Sequence, residues 1–285
     1  MNRFPTGGLI DRDISIPFTF DGQTYTAHPG DTLASALLAN GVRLMGRSFK
    51  YHRPRGVLTA GSEEPNALME IGVGPDRTPN MRATTQEVYN GMVTQSQNRF
   101  PSLKADMLAV NDLLSPFLGA GFYYKTFMWP KKFWEAVYEP IIRRAAGLGR
   151  LSGDPDPSVY EKAWAHCDVL IIGGGPAGLM AALTAGKGGA KVILADEDFV
   201  IGGRLNSEQT EVGGKHSQRW AAKVAAELVE MPNVRVMTRT TVTGAYDGGT
   251  YGAIERVSDH IADAHGAPQQ IFWRIVAKHT ILAAG

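Results

Sequence analysis

Residues 169–178 read Val-Leu-Ile-Ile-Gly-Gly-Gly-Pro-Ala-Gly, and few folds accept that order. A four-residue apolar run ends in G-x-G-x-x-G, and a helix-favouring stretch, Leu-Met-Ala-Ala-Leu, follows. Between a strand and a helix each glycine has a physical task. Gly173 lets the chain turn sharply. Gly175 lets a pyrophosphate approach the backbone without a Cβ in the way. Gly178 lets the helix pack closely on the sheet, helped by Ala177, Ala181, Ala182 and Ala185. Gly174 and Pro176 complete the turn, and the helix N-terminus offers free N–H groups and a positive dipole end to phosphate. Val169–Gly186 is also an uncharged run of 18 residues. A membrane-spanning helix needs about 20 predominantly apolar residues, and five glycines and a proline interrupt this one. The run therefore reads as strand, turn and helix.

The next strand, Val192–Ala195, ends at Asp196 and Glu197. Asp196 lies 18 residues beyond Gly178. An acid at that position can accept hydrogen bonds from both hydroxyls of an adenosine ribose and would repel a 2′-phosphate, which favours NAD or FAD over NADP. A helix follows in which Trp220, Val224 and Leu228 share a face, and then strands in 233–246 and 271–282. Gly202-Gly203-Arg204 stands just past Asp196, and the chain ends in Thr-Ile-Leu-Ala-Ala-Gly. These features resemble flavoproteins and pyridine-nucleotide enzymes with two dinucleotide-binding domains. The resemblance implies that Gly202, Gly203 and Arg204 border the nucleotide and that the backbone of Val242 faces the adenine. It also implies that Ala283, Ala284 and Gly285 return beside the first strand. Ala284 replaces the threonine usual there, a mild departure. Such domains continue beyond the returning strand, so the 285 residues are expected to be the front part of a longer protein.

The front of the chain has another character. Ile14, Ile16, Phe18 and Phe20 alternate with Ser15, Pro17 and Thr19, which is the period of a half-buried strand. Pro17 cannot donate to a ladder and predicts an edge. Asp21-Gly22 then predicts a hairpin into 23–28. In 29–41, Asp31 or Thr32 can cap a helix, Leu33, Leu37 and Leu38 share a face, and Gly41 suits a helix end. Residues 83–95 read as two short strands around Asn90-Gly91. A small sheet wrapped on one helix is the simplest assembly.

Residues 46–61, GRSFKYHRPRGVLTAG, gather Arg47, Lys50, His52, Arg53 and Arg55, with no acid from Thr32 to Ser62. The chain as a whole has a net charge of +1, so no global field favours nucleic acid or a membrane surface. The loop reads either as a phosphate site, with Arg47, Lys50, Arg53 and Arg55 as donors and Tyr51 or His52 stacking, or as a solvated loop that meets acids of a partner. Glu63-Glu64 reads as a turn. Between Phe117 and Tyr138 lie nine of the 25 aromatics: Phe117, Phe122, Tyr123, Tyr124, Phe127, Trp129, Phe133, Trp134 and Tyr138. Prolines 101, 116, 130 and 140 break that segment up. It is either a connecting lobe that buries its aromatics or a surface for a partner subunit or flat cofactor. The stretch 151–158 reads as a linker.

Cys167 is the one cysteine. It makes no internal disulfide, and an iron–sulfur cluster needs about four protein ligands. No zinc-ligand spacing is present. No apolar leader segment opens the chain, and a reducing, cytoplasmic setting is the expectation. The seven histidines show no triad or metal spacing. His28, His52, His166 and His279 read as structural, and no catalytic residue is assigned. The expected organisation is α+β then α/β. Residues 1–97 form a β-grasp, ferredoxin-like domain without cluster cysteines. Residues 98–160 are an aromatic-rich lobe and linker. Residues 161–285 are a Rossmann-like dinucleotide domain of the two-dinucleotide flavoprotein type, incomplete at its end.

Three longer stretches, 29–72, 96–117 and 120–149, resemble the amino-terminal part of the α subunits of heterotetrameric sarcosine oxidases, and the resemblance covers essentially the whole chain. Related amine and opine dehydrogenase subunits carry cluster cysteines after the first helix, where this chain has none. The resemblance implies oxidation of sarcosine to glycine, with formaldehyde or methylene-tetrahydrofolate and hydrogen peroxide as further products. It implies β, γ and δ partner subunits, FAD and the amine substrate on the β subunit, FMN at the α/β boundary and NAD in this chain. It implies neither nucleic acid nor membrane. Two rivals stand beside it: a free-standing NADH-dependent reductase with FAD at the Gly173 turn, and a scaffold whose NAD never turns over.

Overall fold

The computed structural model describes residues 2–116, 119–121, 127, 129–145 and 149–285. The chain divides into two compact units, Met1–Pro5 with Ile10–Pro157 and Thr6–Leu9 with Ser158–Gly285.

The first unit opens with β1 (Ile16–Phe20) and β2 (Gln23–Ala27), antiparallel from Ile16↔Ala27 to Phe20↔Gln23. Asp21 and Gly22 both have positive φ, 49° and 80°, as a tight hairpin turn requires. Phe18 and Phe20 are buried. Ile14 lies outside the strand and is exposed, so the alternation is used only from Ile16 onward. Helix α1 (Leu33–Ala39) is capped by Thr32, whose side chain accepts from Ser35 N–H. Gly41, at φ 79°, follows its end. Leu33 and Leu37 face the core, but Leu38 is exposed.

The two-residue strands β3 (Gly46–Arg47) and β4 (Pro54–Arg55) close the basic loop. Then come β5 (Leu68–Ile71), β6 (Thr78–Arg82) and β7 (Val93–Ser96). Residues 83–92 hold no strand, against the sequence expectation. Their carbonyls serve the helix instead: Leu33 N–H donates to Gln86 O and Ala34 N–H to Ala83 O, each at 2.8 Å. A helix leaves its first N–H groups without internal partners, and this loop satisfies two of them.

The sheet order is β2-β1-β7-β5-β6, with β1 and β7 parallel. Strand β1 is therefore interior, not the edge that Pro17 suggested. Its pairing with β7 covers only Thr19 and Phe20. Pro17 lies beyond that ladder, where its carbonyl accepts from Gly91 N–H and no donor is needed. Leu33, Ala36 and Leu37 of the helix pack with Phe18, Met69 and Met92 of this unit. Burial of a leucine side chain of this kind contributes about 1.5–3 kcal/mol.

Leu103 joins the same core. Farther along, α2 (Glu139–Ala145) follows one π-helical turn at Trp134–Tyr138. Of the nine clustered aromatics, Phe117, Phe122, Tyr123 and Tyr124 lie outside the described residues. None of the other five is buried, and Trp129 is 82 % exposed, so burial does not account for them.

The second unit is built on β8 (Tyr160–Ile172), α3 (Pro176–Lys187), β9 (Val192–Ala195), the short pair β10 (Glu211–Val212) and β11 (Lys215–His216), α4 (Ser217–Val229) and β12 (Val234–Met237). A meander follows, β13 (Thr240–Tyr246) and β14 (Thr250–Arg256), and β15 (Gln270–Leu282) closes the sheet. The order is β12-β9-β8-β15-β14-β13. The first four run parallel, and β13 and β14 are antiparallel. Buried side chains form two clusters, one with the helices and one among the strands themselves. Ile171, Val192 and Leu194 pack with Leu179 and Ala182 of α3 and Val224 and Leu228 of α4, while Leu170 and Ile193 pack on the other side with Trp273 and Ile275. A parallel strand buried on both faces reads as a continuous apolar run, which is what 169–172 and 192–195 show.

Candidate nucleotide site

The C-terminal ends of β8, β9 and β15 meet at the glycine turn. Gly173 has φ 103°, and its N–H donates to Ala195 O at 2.8 Å. A Cβ on Gly173 would collide with Ala283 O, and one on Gly178 would collide with Gly173 O. Both glycines are therefore required by close backbone approach. Gly175 differs: it is the N-cap of α3 at φ −69°, and an added Cβ would meet nothing within 4 Å. No side chain caps this helix end, so its leading N–H groups, beginning at Ala177 because Pro176 has none, are available to an anion.

The neighbouring segments close round this opening. Gly202 N–H donates to Gly174 O at 3.0 Å, and a Cβ on Gly203 would come within 3.1 Å of Gly175 Cα. Arg204 points outward, 87 % exposed, and pairs with Glu208 at 2.7 Å. Ala283 N–H donates to Ile172 O at 2.7 Å, which sets Ala283, Ala284 and Gly285 at the end of β15 beside the turn. Asp196 is buried, and each carboxylate oxygen accepts one backbone N–H, Oδ2 from Gly174 and Oδ1 from Asp198 at 2.8 Å. A carboxylate has about four lone-pair sites, so acceptor capacity remains for hydroxyl donors. Glu197 is half-buried, and its carbonyl accepts from Arg256. Val242 lies in β13 opposite Ala253, in the strand that begins where Thr240 N–H donates to Asp196 O at 2.7 Å.

The basic loop turns out to be occupied by its own unit. Arg47 donates twice to Leu103 O, at 3.0 and 2.6 Å, and once to His52 O at 3.0 Å. Its side chain is 9 % exposed and lies 3.9 Å from Asp106. His52, buried and at φ 53°, sits 2.7 Å from Asp106 Oδ2 through Nδ1. Arg53 grips Asp112 with Nε at 2.8 Å and Nη2 at 2.7 Å. Lys50 lies over the Tyr51 ring at 4.8 Å and reaches Gly119 O at 3.4 Å. Arg55 donates to Pro54 O at 3.4 Å and has no ion pair among the described residues. Arg47 is thus enclosed, with three N–H groups bonded to carbonyls of its own unit, and Arg53 is paired with a carboxylate, which disfavours both as phosphate donors.

Sequence reasoning missed Asp106, Asp112 and Glu64. Asp106 and Asp112 lie 54 and 59 residues from the loop side chains they meet, and local sequence holds no sign of that. Glu64 does close a turn, its N–H donating to Gly61 O at 3.3 Å, but its side chain is 1 % exposed, which the sequence did not show. His28 is structural, with Nδ1 2.7 Å from Ile14 O. Burial, and secondarily Asp168, pushes the Cys167 thiol up to about 11, so it stays protonated and unreactive. Among the described residues no group of three or more His, Cys, Asp or Glu is placed to hold a metal ion. Among them too, no helix is long and apolar enough to cross a membrane.

Comparison with known proteins adds family relationships. Residues 13–99 match a family described as a 2Fe-2S iron-sulfur cluster binding domain, and residues 168–230 match FAD dependent oxidoreductases. Sarcosine oxidase subunit alpha of Rhizobium meliloti (strain 1021) is 58% identical over 284 residues, which are 99% of this chain and 29% of that protein. Its counterpart in Corynebacterium sp. (strain U-96) is 34% identical over 97% of this chain and 24% of its own length. The chain therefore spans less than a third of these relatives. The solved L-proline dehydrogenase of P. horikoshii shares the fold, with a TM-score of 0.58 and 22% identity over 100% of this chain and 43% of that one. The residues present do not fit an iron–sulfur cluster. Cys167 lies outside 13–99, so the matched stretch contains no thiolate ligand at all.

Proposed function

We propose that this chain, a homologue of the sarcosine oxidase α subunit, is the nucleotide-holding part of such a subunit and that the nucleotide is NAD. The observation that carries the reading is the contrast among the three motif glycines. Gly173 and Gly178 are closed by backbone, while Gly175 opens onto free space at an uncapped helix end. Gly175 admits a pyrophosphate, the N–H groups of Ala177 and Gly178 receive it, and Asp196 accepts the ribose hydroxyls. Gly202 and Gly203 hold the second wall against the turn, and the backbone of Val242 faces the adenine. NAD, when bound, supplies a nicotinamide ring able to exchange a hydride.

In the complete assembly, amine oxidation is assigned to FAD on a β subunit and electron delivery to oxygen through FMN at the α/β boundary. Sarcosine gives glycine, formaldehyde or methylene-tetrahydrofolate, and hydrogen peroxide, with γ and δ subunits completing the heterotetramer. This chain then holds nucleotide and partner, and no catalytic residue is assigned to it. A second reading, FAD at the same turn in a reductase, draws on the match to FAD dependent oxidoreductases. The acid at Asp196 serves either dinucleotide.

Calorimetric titration of the chain with NAD tests the site. Gly175→Val adds a side chain where nothing stands and φ is ordinary, so thermal unfolding should not change. NAD affinity should fall about 100-fold or more, roughly 2.8 kcal/mol. Unchanged affinity would remove the turn from the reading.

A further inference from the structure

The first unit matches a family described by its iron–sulfur cluster but has no cysteine with which to hold one. Between α1 and β5 its chain runs through residues 40–67 with only the two-residue strands β3 and β4 as regular structure. Long irregular loops inside compact domains need a specific anchor, since their backbone polar groups must find partners.

We propose that the Glu64 carboxylate is that anchor: it replaces an inorganic centre as the anion around which residues 58–67 close. One oxygen serves each arm of the loop. Oε2 accepts Leu58 N–H and Thr59 N–H, both at 2.7 Å, and the Thr59 hydroxyl at 3.3 Å. Oε1 accepts Asn66 N–H at 2.8 Å and Ala67 N–H at 3.1 Å. The tip is held separately, with Glu64 N–H donating to Gly61 O at 3.3 Å and the Thr84 hydroxyl donating to the same carbonyl at 2.7 Å. Ala67 is fully buried, and its carbonyl accepts from Ala83 N–H, which joins the anchor to the core and to the loop over α1.

Among the described residues Glu64 has no cationic partner, so its buried charge is compensated by backbone dipoles. A concavity of converging N–H groups is the kind of anion receptor that holds phosphates and iron–sulfur centres in other folds. Here the chain fills the receptor with its own side chain. The consequence is functional: this unit is a fixed structural module and no relay for electrons, whichever dinucleotide the Gly173 turn takes.

Amide hydrogen exchange on the full chain tests this. In the unaltered protein, the N–H groups of Leu58, Thr59, Asn66 and Ala67 should be protected as strongly as those of β5. Exchange at ordinary loop rates would overturn the proposal, and this arm needs no variant to fold. Glu64→Gln keeps the shape and one acceptor oxygen but turns an NH2 toward two N–H donors. One pair of amides should then exchange about ten- to a hundredfold faster, with the second unit unaffected. Equal exchange in the variant would contradict the anchor. Anaerobic addition of ferric iron and sulfide, followed by desalting, should leave no visible charge-transfer band on the protein. A band that appears would show that the unit still takes a cluster.

Discussion

Two segments of this protein look like anion sites, and they are built in opposite ways. The basic loop gathers Arg47, Lys50, Arg53 and Arg55, yet Asp106 and Asp112 of its own unit meet it. Beside it, Glu64 fills a ring of backbone N–H groups. The glycine turn contains no basic residue from Gly173 to Gly178, yet Gly175 leaves its helix end open. Charge in the sequence marks where an anion is needed. Only the structure says whether the anion is already part of the chain. The turn leaves space at Gly175, whereas Arg47 and Arg53 of the loop already meet groups of their own unit.

That contrast can be broken by substitution or by pH. The largest effect is expected at Gly178→Ala, where the new methyl group would collide with Gly173 O. Such overpacking against backbone should cost about 3 kcal/mol or more, read as a lowered unfolding midpoint of the second unit by calorimetry. A midpoint within a degree of the parent would mean that the turn is looser than described, and Gly175 would lose its special standing.

Acid should act next, and on the first unit. Burial alone would raise the Glu64 carboxyl, but the four backbone N–H groups together outweigh it and hold the group below its ordinary value. A carboxyl whose folded pKa is depressed contributes stability above its unfolded value, near about 4.3, and that contribution is lost as pH falls through the lower folded value. Loop amides at Leu58 and Ala67 should therefore lose protection as pH falls below the unfolded value and through the lower folded one. In Glu64→Gln that acid step should be missing. Its persistence would assign the transition to another group.

The smallest effect belongs to Arg53→Ala. Both partners of the Arg53–Asp112 pair are close to half exposed. Exposed pairs contribute little, so no resolvable change in unfolding midpoint is expected, and nucleotide binding should stay as in the parent. A clear loss of nucleotide would return the loop to the list of ligand sites.

Local chemistry was legible in the sequence, and long-range pairing was not. The hairpin at Asp21-Gly22, the Thr32 cap, Gly41 and the β8–turn–α3 passage follow from spacing of a few residues. Residues 83–95 looked like two short strands around Asn90-Gly91; the second is β7, but 83–89 hold none. That stretch became a loop because α1, some 50 residues earlier in the chain, needed acceptors for Leu33 and Ala34. Leu38 was misplaced because the helix buries Leu33, Ala34, Ala36, Leu37 and Ala39, and its one outward strip falls on Ser35 and Leu38. For the candidate site, the glycines and Asp196 were readable from their order, because the turn is made of neighbours. The fate of the basic loop was not, because Asp106 meets His52 across 54 residues.

The open turn is expected to retain NAD in preference to FAD. The chain would be incubated with equimolar NAD and FAD, desalted and denatured, and the released nucleotides identified by absorbance and chromatography. NAD without flavin, and neither from Gly175→Val, is the predicted result. Retention of FAD, or of no nucleotide at all, would contradict it.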